Sequence, residues 1–436
     1  MKTPLPWRLG AYGLISVLVY ALVYRSACFV SLGPLRNLAA TLLASMPLLF
    51  AAREAEAHHD PSRWHLLLLL VMTAAMRITI PFDLLVGTDD AYRYLWDGRV
   101  HAAGINPYLH APLAPQLAPL RDALFFPRIF HPEMRTVYPP LAELWFLLAY
   151  ALGGLSLVGL KLIYLAHDLA SALLLWQLLH ERKAPPWRAL LLAWSPLCVV
   201  QSFAGAHLDV LLIPWLLLTL RWMGTRPFAA GCALGLSAMV RPLTALAGPT
   251  LALRRPFKET LWVTLGFFCA AAVLLLPYAL GAGLKMTESL QVYGEHWEFN
   301  GSLYQCLRPL LHEWKPFRPA LYGTIAVLSL LIGFLPGGRG GRLALSFAAY
   351  FAFAPTVYPW YLLGVLALIA PAGGALPVAL PALITLSDLV FVRHALGGPW
   401  RVPVTTLMVE YAGLYGLVAW KVWQAWRGAR KEESGH

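Results

Sequence analysis

Hydrophobic positions along this chain come in solid blocks, not in the alternation of a strand or the narrow stripe of a surface helix. Apolar runs occupy about 9–32, 36–52 and 64–82, then 138–157 and 159–180. Shorter runs, broken by proline, lie near 189–205, 208–221, 228–240 and 242–253, and a full-length run follows at 259–281. Five more fall near 317–335, 342–355, 357–371, 376–394 and 403–425. A bilayer core of roughly 30 Å takes about 20 residues of helix, and a helix satisfies its own backbone polar groups in lipid. The pattern predicts an all-α polytopic membrane protein with roughly eleven to thirteen crossings. One membrane domain would use residues 1–425, leaving 426–436 as a cytoplasmic tail.

Composition agrees: 59% of residues are hydrophobic and only 13% are charged. The first run follows Lys2 and Arg8 as a signal peptide would. It is too long for such a core and lacks a small-residue cleavage site, so it reads as a membrane helix. The net charge of +12 comes from basic residues in short loops (HERKAPPWR, RRPFK, GGRGGR) and in the tail. That is the distribution of cytoplasmic loops, and no basic face with stacking platforms for nucleic acid is visible. The five cysteines are scattered, with neither a disulfide framework nor metal-ligand spacing. GGRGG at 337–341 lacks the Lys-Ser/Thr of a phosphate loop and reads as a turn.

Charge bias also orients the chain. With the N-terminus inside, polar sections 83–137 and 282–316 both lie outside, while RRPFK, Arg339, Arg342 and the tail lie inside. Counting through 138–180 puts HERKAPPWR outside, against its charge, unless one segment there is re-entrant. The proline-broken pairs around AGAHLD (204–209) and MVRPL (239–243) read as chain turning back at membrane depth, which is tolerated where it lines a cavity. His207, Asp209 and Arg241 lie near those turns.

The outer section begins with GTDDAYRYLWDGR, residues 87–99. Residues 89–103 read as an amphipathic helix ended by Gly104 and INPYLHAP. Asp90, Arg93 and Asp97 share a face at i, i+3 and i+7, and Leu95 and Trp96 are placed toward the membrane interface. Asp89 or Asp90 would cap the helix, a role worth about 1 kcal/mol, with Arg93 pairing the carboxylates. Ionisable groups crowded at a membrane interface point beyond capping to a functional site.

These residues resemble the GT-C glycosyltransferases, in particular bacterial polyprenyl-phosphate-mannose-dependent mannosyltransferases and the mannosyltransferase of glycosylphosphatidylinositol assembly. The resemblance rests on an acidic residue at the outer end of an early helix followed by Y-R-Y-x-W-D-G-R and G-x-N-P-Y. It continues in order with YPPL at 138–141, HLD at 207–209, R-P at 241–242, W-x-F-N-G-S-L-Y at 297–304 and P-T-V-Y-P-W-Y-L-L at 355–363. It implies a GT-C bundle with outer-face juxtamembrane helices in the cytoplasmic membrane. A hexose, mannose by the resemblance, would move from a polyprenyl-phosphate donor to a lipid or glycan hydroxyl on the outer face, with inversion. Asp90 is the implied general base, with Asp89 as second choice. Arg93, His207, Arg241, His296 and Tyr358 are candidates for the donor phosphate. Asp97, Asp209, Trp297, Asn300 and Trp360 are candidates for sugar or acceptor. Tyr358 stands where related enzymes carry His, which leaves the phosphate contact open. No cofactor is implied; a cation shared by Asp90 and Asp209 is the one metal site the residues would allow. The rival class is a transporter or lipid-carrier protein using intramembrane charges such as Asp168 and Arg241, and a third reading is a non-catalytic scaffold. Transporters show matching halves with broken helices, which this sequence lacks.

Overall fold

The computed structural model describes residues 5–56, 62–311, 313, 314, 317–336 and 339–434. Regular structure among them is helical; strand-like pairing is confined to bridges from Phe299 and Asn300 to Thr356. The principal helices are α1 (Leu5–Arg25), α2 (Arg36–Glu56), α3 (Arg63–Ile78), α4 (Asp90–Ala102), α5 (Pro140–Gly153) and α6 (Leu157–Glu181). Then follow α7 (Pro196–Ala204), α8 (Leu208–Trp222), α9 (Pro227–Ala238), α10 (Phe257–Ala282), α11 (Lys285–His296) and α12 (Leu303–Leu311). The last are α13 (Phe317–Phe334), α14 (Arg339–Phe353), α15 (Pro359–Ala372), α16 (Ala375–Ala395) and α17 (Val404–Ser434).

Among the described residues six helices are long and apolar enough to span a membrane, and a seventh if α7 and α8, bent by 118°, form one broken span. Of the expected crossings that are not among these spans, 138–157, 228–240 and 357–371 fold as the shorter apolar helices α5, α9 and α15. Their sequences begin at Pro140, Pro227 and Pro359, and proline favours the first turn of a helix while forbidding a preceding one. GGRGG lies partly outside the described residues, and Arg339 already opens α14. The proposed tail does not begin a separate element: α17 continues to Ser434.

Lipid-facing surface is explicit on α10, where Leu261, Trp262, Leu265, Phe268, Val273, Leu276 and Leu280 are exposed. Its other side packs on α9 through glycines. A Cβ on Gly231 would collide with the carbonyl of Val263, and one on Gly266 with that of Phe228. Small residues let membrane helices approach this closely and gain packing that lipid alone does not drive. Inside the bundle, Arg77 of α3 donates through Nε to Asp168 of α6 at 2.6 Å, both side chains being sealed at 0% and 4% exposure. Arg77 Nη1 also donates to the carbonyls of Thr73 and Ala193, and Ser202 donates to Asp168. Asp168, the residue most favourable to a transport reading, is thus used in a buried helix–helix ion pair.

Candidate active site

The connection from α3 to α4 carries the paired carboxylates, and three separate elements hold it. Lys161, buried on α6, donates to the carbonyls of Pro81 and Leu84 at 2.9 and 2.6 Å. Asn37 of α2 donates to the carbonyl of Val86 at 3.0 Å, and the Val86 N–H donates to Ala204 of α7 at 2.8 Å. Gly87 takes φ +113° with Asn37 against it, a backbone that side chains rarely adopt. The loop is therefore pinned, and α4 starts in a fixed place.

Asp89 occupies the N-cap position of α4, but its side chain accepts no capping bond. It is exposed, and burial raises its carboxyl while Arg128 opposes the rise. Asp90 turns inward. Its Oδ2 lies 3.7 Å from Nδ1 of His207, with the Asp90 side chain 32% exposed and His207 buried. Burial pushes the Asp90 carboxyl up to about 6; Arg241 opposes this, while Asp209 and Asp89 add to it.

His207 reaches this point because α7 breaks sharply before α8. Ala206 has φ +50°, and the His207 ring sits so close over Gly205 that any side chain there would meet it. In the first turn of α8, Asp209 accepts from Nη2 of Arg241 at 2.7 Å, with Nε in ion-pair contact with the other carboxylate oxygen. The Arg241 guanidinium lies 4.3 Å from the centre of the Tyr361 ring, and the Tyr361 and Tyr293 hydroxyls are hydrogen-bonded at 2.6 Å. Arg241 keeps 17% of its side chain open, whereas Asp209 is 1% exposed.

Behind His207 stands a column of parallel rings. Trp360 stacks on His207 at 3.6 Å and on Tyr358 at 4.4 Å, and Tyr358 stacks on Phe299 at 4.4 Å. Such contacts add to area burial by about 0.5–1.5 kcal/mol each. Here they also fix the imidazole plane beside Asp90.

Asp90, His207, Asp209, Arg241, Tyr358 and Trp360 are thus gathered in one place. Other candidates lie in different settings. Arg93 donates to both Asp97 oxygens at 2.9 Å and to Met134 O, forming a buried pair under the 103–137 loop. Thr136 and Glu143 hydrogen-bond within the same buried region. Gly98 lets α4 lie on α5, since a Cβ there would collide with the carbonyl of Phe146. Leu95 and Trp96, expected at the interface, are fully buried. The correction follows from the 103–137 loop, which folds over α4 and places Phe126 against Trp96. His296 is exposed at the end of α11, its Nδ1 next to Val292 O of the same helix. Trp297 stacks on Tyr293 and meets His131 edge-on, joining the two long polar segments. The Asn300 amide donates to Glu410 in the core. Among the described residues no group of three or more His, Cys, Asp or Glu side chains is arranged to hold a metal ion.

Sequence reasoning missed Tyr361, Tyr293 and Glu143. Tyr361 was within reach, one helical turn beyond Tyr358 in the same motif; Tyr293 carried no signal of its own. The family profile described as alpha-(1->6)-mannopyranosyltransferase, N-terminal domain, matches residues 14–255, more than half of the chain. The chain belongs to this family of mannosyltransferases. No curated protein matches it. In this membrane mannosyltransferase the matched part contains Asp89, Asp90, His207, Asp209 and Arg241. Three rings of the column, Phe299, Tyr358 and Trp360, come from the chain beyond it.

Proposed function

We propose that this mannosyltransferase moves mannose from a polyprenyl-phosphate carrier to a hydroxyl of a lipid or glycan acceptor, at the outer face of the cytoplasmic membrane. Asp90 acts as general base. The observation that carries this reading is a partly open carboxylate 3.7 Å from His207, with the Arg241–Asp209 pair alongside. An alcohol is too weak an acid to attack unaided. As its oxygen bonds to the anomeric carbon, its proton passes to Asp90 and the bond from that carbon to the phosphate oxygen breaks. A positioned base contributes typically 10²–10⁴-fold to such a step. With a carboxyl pushed up to about 6, Asp90 is ionised at neutral pH yet a better proton acceptor than an ordinary carboxylate.

The departing phosphate gathers negative charge, and a preorganised guanidinium stabilises charge where it develops. Arg241 suits this task because Asp209 and the Tyr361 face hold it in place before substrate arrives. Displacement in one step inverts the anomeric centre, so an α-linked product, as the family description names, comes from a β-linked donor phosphate. The step as written uses no metal; chelator treatment tests the alternative of a cation between Asp90 and Asp209.

The test is transfer in reconstituted membranes, with radiolabelled polyprenyl-phosphate mannose and its glucose and arabinose counterparts as donors. The mannosyl donor should be used best. Asp90→Asn should lower the rate by about 10²–10⁴-fold, and Asp89→Asn far less. Full activity in both variants would overturn the assignment of the base.

A further inference from the structure

Glu410 lies in the second turn of the last helix, beyond the part of the chain that the family profile matches, and it is fully buried. Asn300 Nδ2 donates to Glu410 Oε1 at 2.7 Å. The other oxygen of each side chain, Glu410 Oε2 and Asn300 Oδ1, is buried without any hydrogen-bond partner. The charged or titratable groups around Glu410 are Asp388 of α16 and Tyr411 and Tyr415 of α17, with Tyr350 of α14 next to Tyr411. Among the described residues no Arg, Lys or His forms an ion pair with Glu410 or Asp388.

We propose that Glu410 is a positioning residue held as a neutral carboxylic acid, closing a two-hydrogen-bond ring with the Asn300 amide that sets the aromatic column against Asp90. A carboxylate buried without a cation, near a second carboxyl group, is expensive to keep ionised. Protonation turns Oε2 into a donor, and the one acceptor nearby that lacks a partner is Asn300 Oδ1. A single proton therefore satisfies both orphaned atoms.

The ring matters because of what Asn300 carries. Its backbone is left-handed, with φ +51°, and its carbonyl accepts from the Tyr411 hydroxyl. Directly before it, Phe299 donates to the carbonyl of Pro355 at 3.0 Å and accepts from the Val357 N–H at 2.7 Å. These bonds align Phe299 with Tyr358 and so with Trp360 and His207. Glu410 touches neither sugar nor phosphate; it acts through the column.

Two measurements on the full-length protein in lipid test this. The infrared difference between wild type and Glu410→Gln should contain the carbonyl stretch of a protonated carboxyl, Asp388 cancelling because both proteins have it. Glu410→Gln can form the same ring as a neutral amide, so its transfer rate should stay within a few-fold of wild type. Glu410→Leu should lose up to about 100-fold, the scale on which small misplacements near a reaction act. Raising the pH until Glu410 ionises should slow wild type and spare Glu410→Gln. The effect on rate rests on the transfer reading of Asp90, but the infrared band does not. Absence of the band, or a Glu410→Gln rate as low as that of Glu410→Leu, would overturn the neutral ring. A band present while Glu410→Leu keeps the wild-type rate would overturn the positioning role.

Discussion

Besides Arg93–Asp97, two arginine–aspartate pairs sit inside this bundle, and they are built differently. Arg77 and Asp168 are closed off on every side, and two carbonyls and a serine bond most of the polar atoms left over, Arg77 Nη2 alone among the guanidinium nitrogens being buried without a partner. Arg241 and Asp209 are unevenly buried: the aspartate is hidden, while the arginine keeps an open edge, rests on a tyrosine face and stands beside Asp90. A charge sealed from any cavity and paired within the protein holds helices together. One that is fixed on one side and open on the other has capacity left for a ligand.

The largest effect expected from breaking this contrast is on stability at the closed pair. Asp168→Ala strands a buried guanidinium and should cost about 3–5 kcal/mol, read as a fall in thermal stability in detergent, with the surviving folded fraction keeping its transfer rate per molecule. At the open pair the balance reverses. Arg241→Gln should lower transfer by roughly 10²–10³-fold, as loss of a donor aimed at developing charge does, with a smaller fall in stability than at Asp168. Equal stability losses at the two positions would erase the distinction drawn between them.

The smallest and sharpest effect is on the pH profile. A carboxyl raised to about 6 is protonated below that value and unable to accept a proton, so transfer should be lost as pH falls through about 6. Arg241 lowers the Asp90 carboxyl, so removing its charge should move the residual activity of Arg241→Gln to an acid limb above that of wild type. Asp168→Ala should leave the limb where it is. A limb that does not move in Arg241→Gln would mean that Arg241 does not face the base.

Much of this was readable from the chain because charge is rare in it. A polar block interrupting apolar runs singled out Asp89 and Asp90, and HLD and R-P marked Asp209 and Arg241 as charges with a cost to explain. The i, i+4 spacing allowed the Arg93–Asp97 pair, but sequence could not say that Arg93 would prefer Asp97 and leave Asp90 to His207. That choice depends on the 118° break between α7 and α8, which sets the imidazole over Gly205. The number of crossings was less legible: the proline-broken runs were visible, but whether each spans or turns back is set by the fold, as the 118° bend between α7 and α8 shows. Glu410 offered the signal of a carboxylate in an apolar helix, yet its partner lies on a loop distant in sequence, and only folding brings them together.

The ring column has a consequence for protein engineering. His207 belongs to the family-matched portion, whereas Trp360, Tyr358 and Phe299 belong to the remainder. The two portions are therefore not interchangeable modules. A chimera spliced near residue 255 from two homologues would need all four rings from one parent, or its imidazole would stand beside Asp90 without the stack that holds its plane.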